Sequence, residues 1–492
     1  MKKLTDFPDA HLRIFKRPLV PHPDATDDVY LIGICGTGMG SLAGLFQQAG
    51  YRVRGSDAAA YPPMSTRLAE MGIAVLEGFN PAHLNPPPDL VIVGNACIPT
   101  HAEAAYAREQ SLVQQSFPQA LSHFFLQGRR SLVVAGTHGK TTTTGMLVHV
   151  LREAGLDPGF LVGGVMTNGN VSYSVGTGPH FVVEGDEYDS AYFDKRPKFM
   201  HYRPTSAIVT SMEFDHADIY DDWDDYREAF RAFANLVPSG DLLVLCGDDA
   251  PVRALAEHTV ARVRFYGLQD GADVTARNIQ PTEGGQRFTL TVDAEARGEI
   301  VLPMSGRHNL LNALAVCTVA LDEGLTPDEL AQGFRTFLGM KRRQEVRGDV
   351  AGILVVDDFA HHPTAVRETI YAVAERWPGR RVVAVFEPRS NSSRRKIFET
   401  PYAEAFDGAA LAFLSAPPFR HNDDAMRFMN AETVARTITQ RGVPASIYPD
   451  ADTLLPPLLE AVQPGDVVLI MSNGSFGGLH DRLLENLEKR VI

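Results

Sequence analysis

The sequence is poor in cysteine and has no long apolar run, and both absences narrow the kind of protein it encodes. Its four cysteines among 492 residues are widely scattered, without metal-ligand or redox-pair spacing, so we expect reduced thiols. Residues 1–27 lack the apolar core of a secretory signal. No apolar stretch approaches the roughly 18–20 residues that span a bilayer. We therefore expect a cytoplasmic protein with no membrane partner.

An excess of positive charge is also missing. The formal net charge is −14, which argues against nonspecific binding of nucleic acid, so we expect no nucleic-acid partner. Apolar residues make up 44% and charged residues 22% of the chain, as is ordinary for globular proteins. At roughly 150 residues per domain, the length predicts three domains. The oligomeric state is left open.

The string GTHGKTTTTG at 136–145 follows a short apolar run rich in valine. This pattern predicts a strand, a loop and a helix whose N-terminus holds a polyphosphate. Lys140 would reach the β- and γ-phosphates, and the Thr141 hydroxyl would bind Mg²⁺. A standard phosphate loop has a further glycine where Val134 stands, so the compact form indicates a narrower family. The alternative is a turn with incidental Lys and Thr, although four successive threonines are poor helix formers.

The first third of the chain begins with a predicted buried strand at 29–34, which leads into the glycine-rich loop 35–40 and a helix. Asp57 ends a second strand and follows Gly36 by 21 residues, about where a Rossmann-type unit places a ribose-binding carboxylate. We expect a nucleotide pyrophosphate on this loop. The glycine order differs from G-x-G-x-x-G, so nicotinamide binding is not secured, and a ligand-free turn with a solvated acid is the alternative.

Three apolar runs in the middle of the chain each end in polar side chains. Ligands of parallel sheets bind beyond the carboxyl ends of the strands. Lys140, Glu184 and His216 follow such strand ends and are therefore predicted to converge at one edge of the sheet. A carboxylate and an imidazole beside a triphosphate suit a metal site, here Mg²⁺. We expect most other acids in 184–189 to be solvated loop charges. The alternative for His216 is a capping or core histidine.

Asn309 and Asn312 lie three residues apart at the start of a predicted helix, hence on one face. Two amides there would read a base edge through paired donors and acceptors. Capping by Asn309 alone is the alternative.

In the last third, a predicted strand at 353–356 ends in DDFAHHP (357–363). Arg389 and the glycine-rich loop 472–478 suit an anionic ligand, and an exposed turn is the alternative. We predict α/β domains at 1–128 (with a lead-in at 1–27), 129–342 and 343–492.

Six strings in register resemble the Mur ligases of peptidoglycan synthesis: GTHGKTTTTG, EGDEYD, EFDHAD, GRHNLLNALA, KRRQE and DDFAHHP. The resemblance covers nearly the whole chain from residue 29. It implies a three-domain α/β fold, with Rossmann-like first and third domains and a central phosphate-loop ATPase-type domain with a parallel sheet. The domains would bind a UDP-sugar, ATP with Mg²⁺, and the incoming amine, in that order, for ATP-dependent amide formation.

The resemblance also implies residue roles. ATP would be held by the phosphate-loop residues, by amides near adenine, by an arginine beside the γ-phosphate and by third-domain residues, namely Gly136, Thr137, His138, Gly139, Lys140, Thr141, Thr142, Asn309, Asn312, Arg343, Asp358 and His361. The metal would bind Thr141, Glu184 and His216. The UDP-sugar would contact Gly36, Thr37, Gly38, Met39, Gly40 and Asp57. The peptide would contact Arg389 and Asn473.

Within the family, GICGTGMG (33–40) and GSD (55–57) resemble members that use UDP-N-acetylmuramate. The strings YPPMSTRLAEMGI, PDLVIVGNA, YFDKRPKF, EPRSN and MSNGSFGGLH resemble members that recycle cell-wall peptide by joining L-alanyl-γ-D-glutamyl-meso-diaminopimelate to that sugar. Members that add L-alanine are the alternative. An ATPase switch, a nicotinamide oxidoreductase and a folate polyglutamate-type ligase each explain only part of the chain.

The sequence departs from the family in two places. Phe230 stands about where many members carry a carbamylated lysine, and GNACIPTHAEA (94–104) lacks an expected Arg-Gly-Asn-Pro run. For the reaction we expect an acyl phosphate on the sugar carboxylate, attacked by the peptide amine. His216 and His361 are the candidate bases.

Overall fold

The computed structural model describes residues 3–60, 64–216, 219–419 and 427–491. Two parts of the strings above, 61–63 and 217–218, lie outside the described residues. In the described part of the chain, three sheets follow one another along the sequence, with a small ribbon beside the second. The predicted domain borders stay predictions, and each lies between two of these sheets. No helix in the described ranges is long and apolar enough to cross a membrane.

The first sheet is parallel, with strand order β3-β2-β1-β4-β5. Its strands are β1 (Asp28–Ile32), β2 (Arg52–Asp57), β3 (Ala74–Glu77), β4 (Leu90–Val93) and β5 (Gln114–Ser116). The helices of this part are α1 (Ala10–Arg13), α2 (Thr37–Gln48), α3 (Met64–Glu70), α4 (Ala102–Glu109) and α5 (Phe117–Leu121), with short turns at Leu4–Asp6, Pro23–Ala25, Pro81–Leu84 and Ser122–Leu126. This order and the βα rhythm are those of a Rossmann-like domain.

The central sheet has the order β17-β16-β15-β14-β13-β12-β6-β9-β7-β8. Its strands and the ribbon strands β10 and β11 are β6 (Arg130–Ala135), β7 (Gly159–Met166), β8 (Val171–Ser174), β9 (His180–Gly185), β10 (Asp189–Ala191), β11 (Asp194–Pro197), β12 (Ser206–Val209), β13 (Leu242–Cys246), β14 (Arg262–Tyr266), β15 (Val274–Thr282), β16 (Gly285–Val292) and β17 (Glu295–Leu302). The helices are α6 (Lys140–Glu153), α7 (Trp223–Ala234), α8 (Ala250–Arg253), α9 (Arg307–Asp322) and α10 (Pro327–Thr336), with short turns at Asn168–Asn170, Lys198–His201 and Ala254–His258.

Only the middle of the central sheet is parallel. Strands β15, β16 and β17 form an antiparallel meander at one end, and β8 runs antiparallel to β7 at the other. The parallel strands are buried runs such as β6 and β12, as expected for a sheet covered on both faces. In the meander β16 mixes buried and exposed residues, whereas 277–281 of β15 and 295–299 of β17 are exposed, so this end of the sheet extends into solvent.

The third sheet has the order β18-β19-β23-β20-β21-β22, parallel except for β18. Its strands are β18 (Glu345–Val350), β19 (Ile353–Asp358), β20 (Arg381–Glu387), β21 (Leu411–Ser415), β22 (Ala445–Tyr448) and β23 (Asp466–Ser472). The helices are α11 (Pro363–Arg376), α12 (Glu399–Ala405), α13 (Ala431–Gln440), α14 (Ala451–Ala461) and α15 (Leu479–Val491), with short turns at Lys396–Phe398 and Phe476–Gly478. The predicted α/β architecture is confirmed.

The lead-in packs against the turn between β10 and β11. Arg13 donates to the carbonyl of Tyr192 at 3.0 Å. The Phe15 ring stacks on the Tyr192 ring, with the centroids 6.2 Å apart. Arg17 lies 4.7 Å over the ring of Phe193. These contacts fasten the start of the chain to the ribbon of the central domain.

Phe230 has a packing role. Its side chain is fully buried on α7, between the rings of Phe199 and Tyr226 at 5.6 and 5.2 Å. An ammonium or carbamate at this position would be buried in an apolar aromatic cluster. Phenylalanine fits this cluster where many family members carry the modified lysine.

Glu323 ties a helix end to three neighbouring strands. Its carboxylate accepts two bonds from Arg130 at 2.7 and 2.8 Å, pairs with His180 at 3.1 Å and accepts from Ser206 at 3.4 Å. These partners begin β6, β9 and β12. Burial opposes the charge, but the bonds from His180 and Arg130 outweigh it and lower the pKa of Glu323 to about 2.

We therefore expect Glu323→Gln to destabilise the protein by about 3 kcal/mol at neutral pH, the free energy that corresponds to lowering the pKa from about 4.3 to about 2. A depressed folded-state pKa stabilises the protein above the unfolded value of about 4.3, and this contribution is lost as the pH falls toward 2. Urea unfolding at about pH 6 and about pH 3.5 measures it. The gap between wild type and variant narrows at the lower pH. Glu228→Gln, at an exposed pair with Arg231, is the control. A gap that does not change with pH contradicts the assignment.

Candidate functional site

The phosphate-type loop lies between β6 and α6, as predicted. Gly136 has φ 131° and an ideal Cβ there would collide with the Thr210 hydroxyl. Gly139 has φ 79°, and a Cβ there would lie 2.5 Å from Oδ1 of Asn312. Both positions therefore require glycine.

The loop is pinned from the side of β12. The backbone N–H of Thr137 donates to the Ser211 carbonyl at 2.9 Å, and the N–H of His138 to the Ser211 hydroxyl at 2.9 Å. The Thr137 hydroxyl also contacts the Tyr226 hydroxyl at 2.9 Å. The first turn of α6, which starts at Lys140 and includes Thr141 and Thr142, presents N–H groups that no preceding turn satisfies. Such a helix start is an anion-binding geometry.

Lys140 and His216 meet at one carboxylate. The Lys140 ammonium donates to Glu187 at 2.9 and 3.2 Å and to the Gly136 carbonyl at 2.7 Å. Nε2 of His216 lies 3.1 Å from the same carboxylate. The Glu187 side chain is fully buried. The expectation that acids other than Glu184 in 184–189 are solvated is therefore wrong for Glu187.

The charges of this cluster depend on one another. Burial opposes the charge of Lys140, yet Glu187, Asp186 and Glu184 outweigh it and raise the pKa of Lys140. Burial likewise opposes the charge of Glu187, but Lys140 and His216 bring its pKa down to about 2. The cluster thus holds a charged ammonium beside an ionised carboxylate in a buried place. An arriving phosphate would exchange one anionic partner of Lys140 for another.

Glu184 is the penultimate residue of β9, next to the loop. It accepts from the Thr141 hydroxyl at 2.9 Å and from the backbone N–H of Gly163 at 2.9 Å. Burial and the neighbouring Asp186 raise the pKa of Glu184, with Lys140 opposing. A hydroxyl and a carboxylate oxygen side by side are the ligands that Mg²⁺ prefers. His216, the third predicted metal ligand, points its Nε2 at Glu187.

The third domain brings Arg343 and Asp358 to the same region. Asp358 ends β19, is 4% exposed, and accepts backbone N–H groups from Gln344 and Ala360 at 2.8 Å each. The Arg343 guanidinium lies 4.9 Å over the ring of Phe359. Burial lowers the pKa of Arg343, and attraction to Asp358 and to Glu184 of the central domain opposes this. Arg343 is therefore attracted by acids of two domains.

His361 lies on the third-domain side, near Asp215. Its Nδ1 is 3.0 Å from the Phe359 carbonyl, and the backbone carbonyl of His361 accepts a hydrogen bond from the Tyr402 hydroxyl. Burial lowers the pKa of His361, with Asp215 opposing. For His216, Asp215 and Glu187 outweigh burial and raise the pKa. His361 is thus the imidazole that favours its neutral form.

Of the two asparagines of α9, Asn312 lies against the phosphate loop. The Asn309 amide donates to the Ser305 carbonyl at 2.8 Å, and the Asn312 amide lies against Gly139. Both are nearly buried, at 2% and 5% exposure. His308 in the turn before them contacts the Gln344 amide at 3.2 Å. Their roles toward a base stay predictions.

In the first domain, Asp57 holds the glycine loop. Its carboxylate accepts from the backbone N–H of Cys35 at 2.8 Å and of Ala58 at 2.8 Å. Gly36 caps α2, whose first turn consists of the remaining loop residues Thr37, Gly38, Met39 and Gly40. This gives a second helix start suited to a pyrophosphate. The predicted contacts of these residues with a UDP-sugar stay predictions.

Arg389 and the 472–478 loop are packed together in the third domain. The Arg389 side chain is close to Gly474 and 3.9 Å from Glu387. Oδ1 of Asn473 is buried and has no hydrogen-bond partner among the described residues. An unpaired buried acceptor beside an arginine suits a polar ligand, and the peptide role of both residues stays a prediction.

Sequence reasoning missed three residues of this region, namely Glu187, Glu213 and His362. Glu213 pairs with His138 of the loop at 2.9 Å and with His362 at 3.4 Å. They lie in the strings EGDEYD, EFDHAD and DDFAHHP, in that order. The available signal was position, since all three follow a strand end of a parallel sheet.

Comparison with known proteins covers most of the chain. Three family models match: Mur ligase family, catalytic domain at 28–129; Mur ligase middle domain at 134–320; and Mur ligase, glutamate ligase domain at 342–474. The chain is 39% identical over 465 residues to the UDP-N-acetylmuramate–L-alanyl-γ-D-glutamyl-meso-2,6-diaminoheptandioate ligase of Escherichia coli K12, covering 94% of this chain and 99% of that one.

The chain is also similar to a second ligase sequence and to a solved crystal structure. The chain is 34% identical over 461 residues to the UDP-N-acetylmuramate–L-alanine ligase of Chlorobaculum parvum, covering 93% and 96% of the two chains. The crystal structure of a murein peptide ligase from Psychrobacter arcticus matches with a TM-score of 0.71 and 35% identity, over 94% of this chain and 99% of that one.

Glu187→Ala should destabilise the protein by about 3–5 kcal/mol, because it leaves the buried Lys140 ammonium without its carboxylate. Chemical denaturation of the ligand-free protein measures the loss. Asp224→Asn is the matched control, since it removes a carboxylate from an exposed pair with Arg227 and should cost at most about 1 kcal/mol. Equal midpoints for Glu187→Ala and Asp224→Asn would show that the pair does not contribute.

Proposed function

The chain belongs to the Mur ligase family of ATP-dependent, amide-bond-forming ligases, and we propose that it joins UDP-N-acetylmuramate to L-alanyl-γ-D-glutamyl-meso-diaminopimelate in peptidoglycan recycling. The family predicted from the motifs is confirmed. The substrates are proposed because the relative with 39% identity over nearly its whole length carries that name. We further propose that the reaction takes place in the cytoplasm.

The observation that carries the proposal is the meeting of two domains at the phosphate loop. Lys140 and Glu184 come from the central domain, and Arg343 and Asp358 come from the third. The two domains touch at the loop, where the rings of His138 and third-domain His362 are 4.7 Å apart. A switch ATPase needs the loop alone. A ligase needs a second domain that brings the amine to the phosphorylated carboxylate, and this arrangement supports that reaction class.

The chemistry follows from the poor leaving group of a carboxylate. Transfer of the γ-phosphoryl group of ATP to the lactyl carboxylate gives an acyl phosphate, from which phosphate departs when the α-amine of L-alanine attacks. Two anions must approach for the first step. Lys140 and Arg343 are placed to offset their charge, which is the main contribution of a protein to phosphoryl transfer.

Thr141 and Glu184 are the residues that fit a magnesium ion, since a hydroxyl and a buried carboxylate lie 2.9 Å apart at the helix start. His216 would complete the predicted set. Bound Mg²⁺ would supply positive charge to the phosphate oxygens. On the protein side, Glu187 holds Lys140 and His216 in place for the same anionic ligand.

His361 is the better candidate for the base that takes the ammonium proton. Burial favours its neutral form, whereas Asp215 and Glu187 favour the charged form of His216. It also lies in the third domain, where the amine is proposed to bind. Its hydrogen bond to the Phe359 carbonyl at 3.0 Å fixes Nδ1 and leaves Nε2 to act.

Phosphate release from ATP, with UDP-N-acetylmuramate and one of two amines, tests the proposal. We expect turnover with the tripeptide and little with free L-alanine. Lys140→Ala is the control and should release no phosphate while still binding the UDP-sugar, because the first-domain loop lies on a different sheet. Turnover with L-alanine and none with the tripeptide would instead assign the activity printed for the Chlorobaculum parvum relative.

A further inference from the structure

We propose that His138, Glu213 and His362 form a binding site for a zinc-like divalent transition-metal ion, separate from the magnesium ligands. Among the described residues, these three form the one group of histidine, cysteine and acidic side chains with metal-site spacing. His138 belongs to the phosphate loop, Glu213 follows β12, and His362 caps α11 in the third domain. The site therefore joins two domains.

The donor atoms already stand near metal-ligand separations. Nε2 of His138 is 2.9 Å and Nδ1 of His362 is 3.4 Å from the same oxygen of Glu213. All three donor atoms lie within 4.8 Å of one another. Ligands of a tetrahedral zinc ion, with bonds of about 2.0–2.1 Å, are roughly 3.3 Å apart. Small side-chain rotations suffice to surround an ion.

Each donor is held by contacts outside the cluster. The backbone of His138 is fixed by the Ser211 hydroxyl at 2.9 Å, and Glu213 receives the Thr137 hydroxyl on its own carbonyl at 3.1 Å. The His362 ring packs edge-on against Phe398 at 5.2 Å. Such outer contacts orient metal ligands and limit the entropy that binding costs.

The charge state of the cluster suits a cation. Burial and the nearby His138 lower the pKa of His362 to about 3, so its imidazole is neutral at neutral pH and has one nitrogen lone pair. This lone pair is on Nδ1, which accepts the Thr364 backbone N–H at 3.4 Å, and a bound ion would replace that hydrogen bond. Burial opposes ionisation of Glu213, but His138 outweighs it and the pKa falls to about 2. Two imidazoles and one carboxylate are donors for Zn²⁺, Co²⁺ or Ni²⁺ in preference to Mg²⁺.

The cluster is open on one side. The side chains of His138 and Glu213 are 23% and 38% exposed, whereas that of His362 is 9% exposed. An ion held there keeps a position for water or another ligand, as in sites with three protein ligands. Because His138 and His362 lie on different domains, the ion would hold the phosphate loop against the start of α11.

Titration of the chelator-treated, full-length protein with Co²⁺ and Zn²⁺, in excess Mg²⁺ and without ATP, tests the site. We expect one equivalent to bind, with the visible absorption of low-coordinate Co²⁺ displaced by Zn²⁺. Glu213→Gln and His362→Ala should each weaken binding by at least about tenfold. His83→Gln, at a buried histidine–carboxylate pair of the first domain, is the matched control and should bind as wild type.

Zinc should also raise the Tm of the wild type and of His83→Gln, and not that of His362→Ala. This readout compares each variant with its own metal-free form, so it holds even where a substitution lowers stability. The site is refuted if the wild type binds no Co²⁺ or Zn²⁺ in excess Mg²⁺, or if Glu213→Gln and His362→Ala bind with unchanged affinity. Neither result bears on the ligase assay.

Discussion

The buried pair between Lys140 and Glu187 is the interaction on which the site depends. An ammonium at the start of α6 would be costly to bury alone, and Glu187 is the carboxylate that neutralises it. The same carboxylate positions His216. The pair thus keeps a charged lysine in a buried position, where we propose that a phosphate replaces Glu187 as its partner. The glycines at 136 and 139 serve this end, since they let the loop turn tightly onto β12 and α9.

Much of the fold follows from short-range patterns in the sequence. Strand β19 begins at Ile353, as the predicted strand at 353–356 does, and the first sheet has the strand order of a Rossmann-like domain. The sequence analysis did not predict the antiparallel strands at the two ends of the central sheet. Strands β15, β16 and β17 pair antiparallel and extend one end of the predicted parallel sheet, and only β16 shows a partial alternation of polar and apolar residues.

The site was predictable up to the point where packing decides which acids are buried. Strand ends place Lys140, Glu184 and His216 on one edge, and the structure brings them together. Glu187 looked like a loop charge because its burial depends on α6 and on the segment after β12, which lie far away in the chain. The contact of Glu213 with His362 depends on how two domains meet, and no local pattern carries that information.

The central claim is that the loop presents the γ-phosphate of ATP to the sugar carboxylate. UDP-N-acetylmuramate labelled with ¹⁸O in both lactyl carboxylate oxygens tests it most directly, with mass analysis of the phosphate released in a complete reaction. An acyl phosphate passes one carboxylate oxygen to phosphorus, so the account predicts one ¹⁸O in each inorganic phosphate. Phosphate without ¹⁸O, formed together with the amide product, would contradict it.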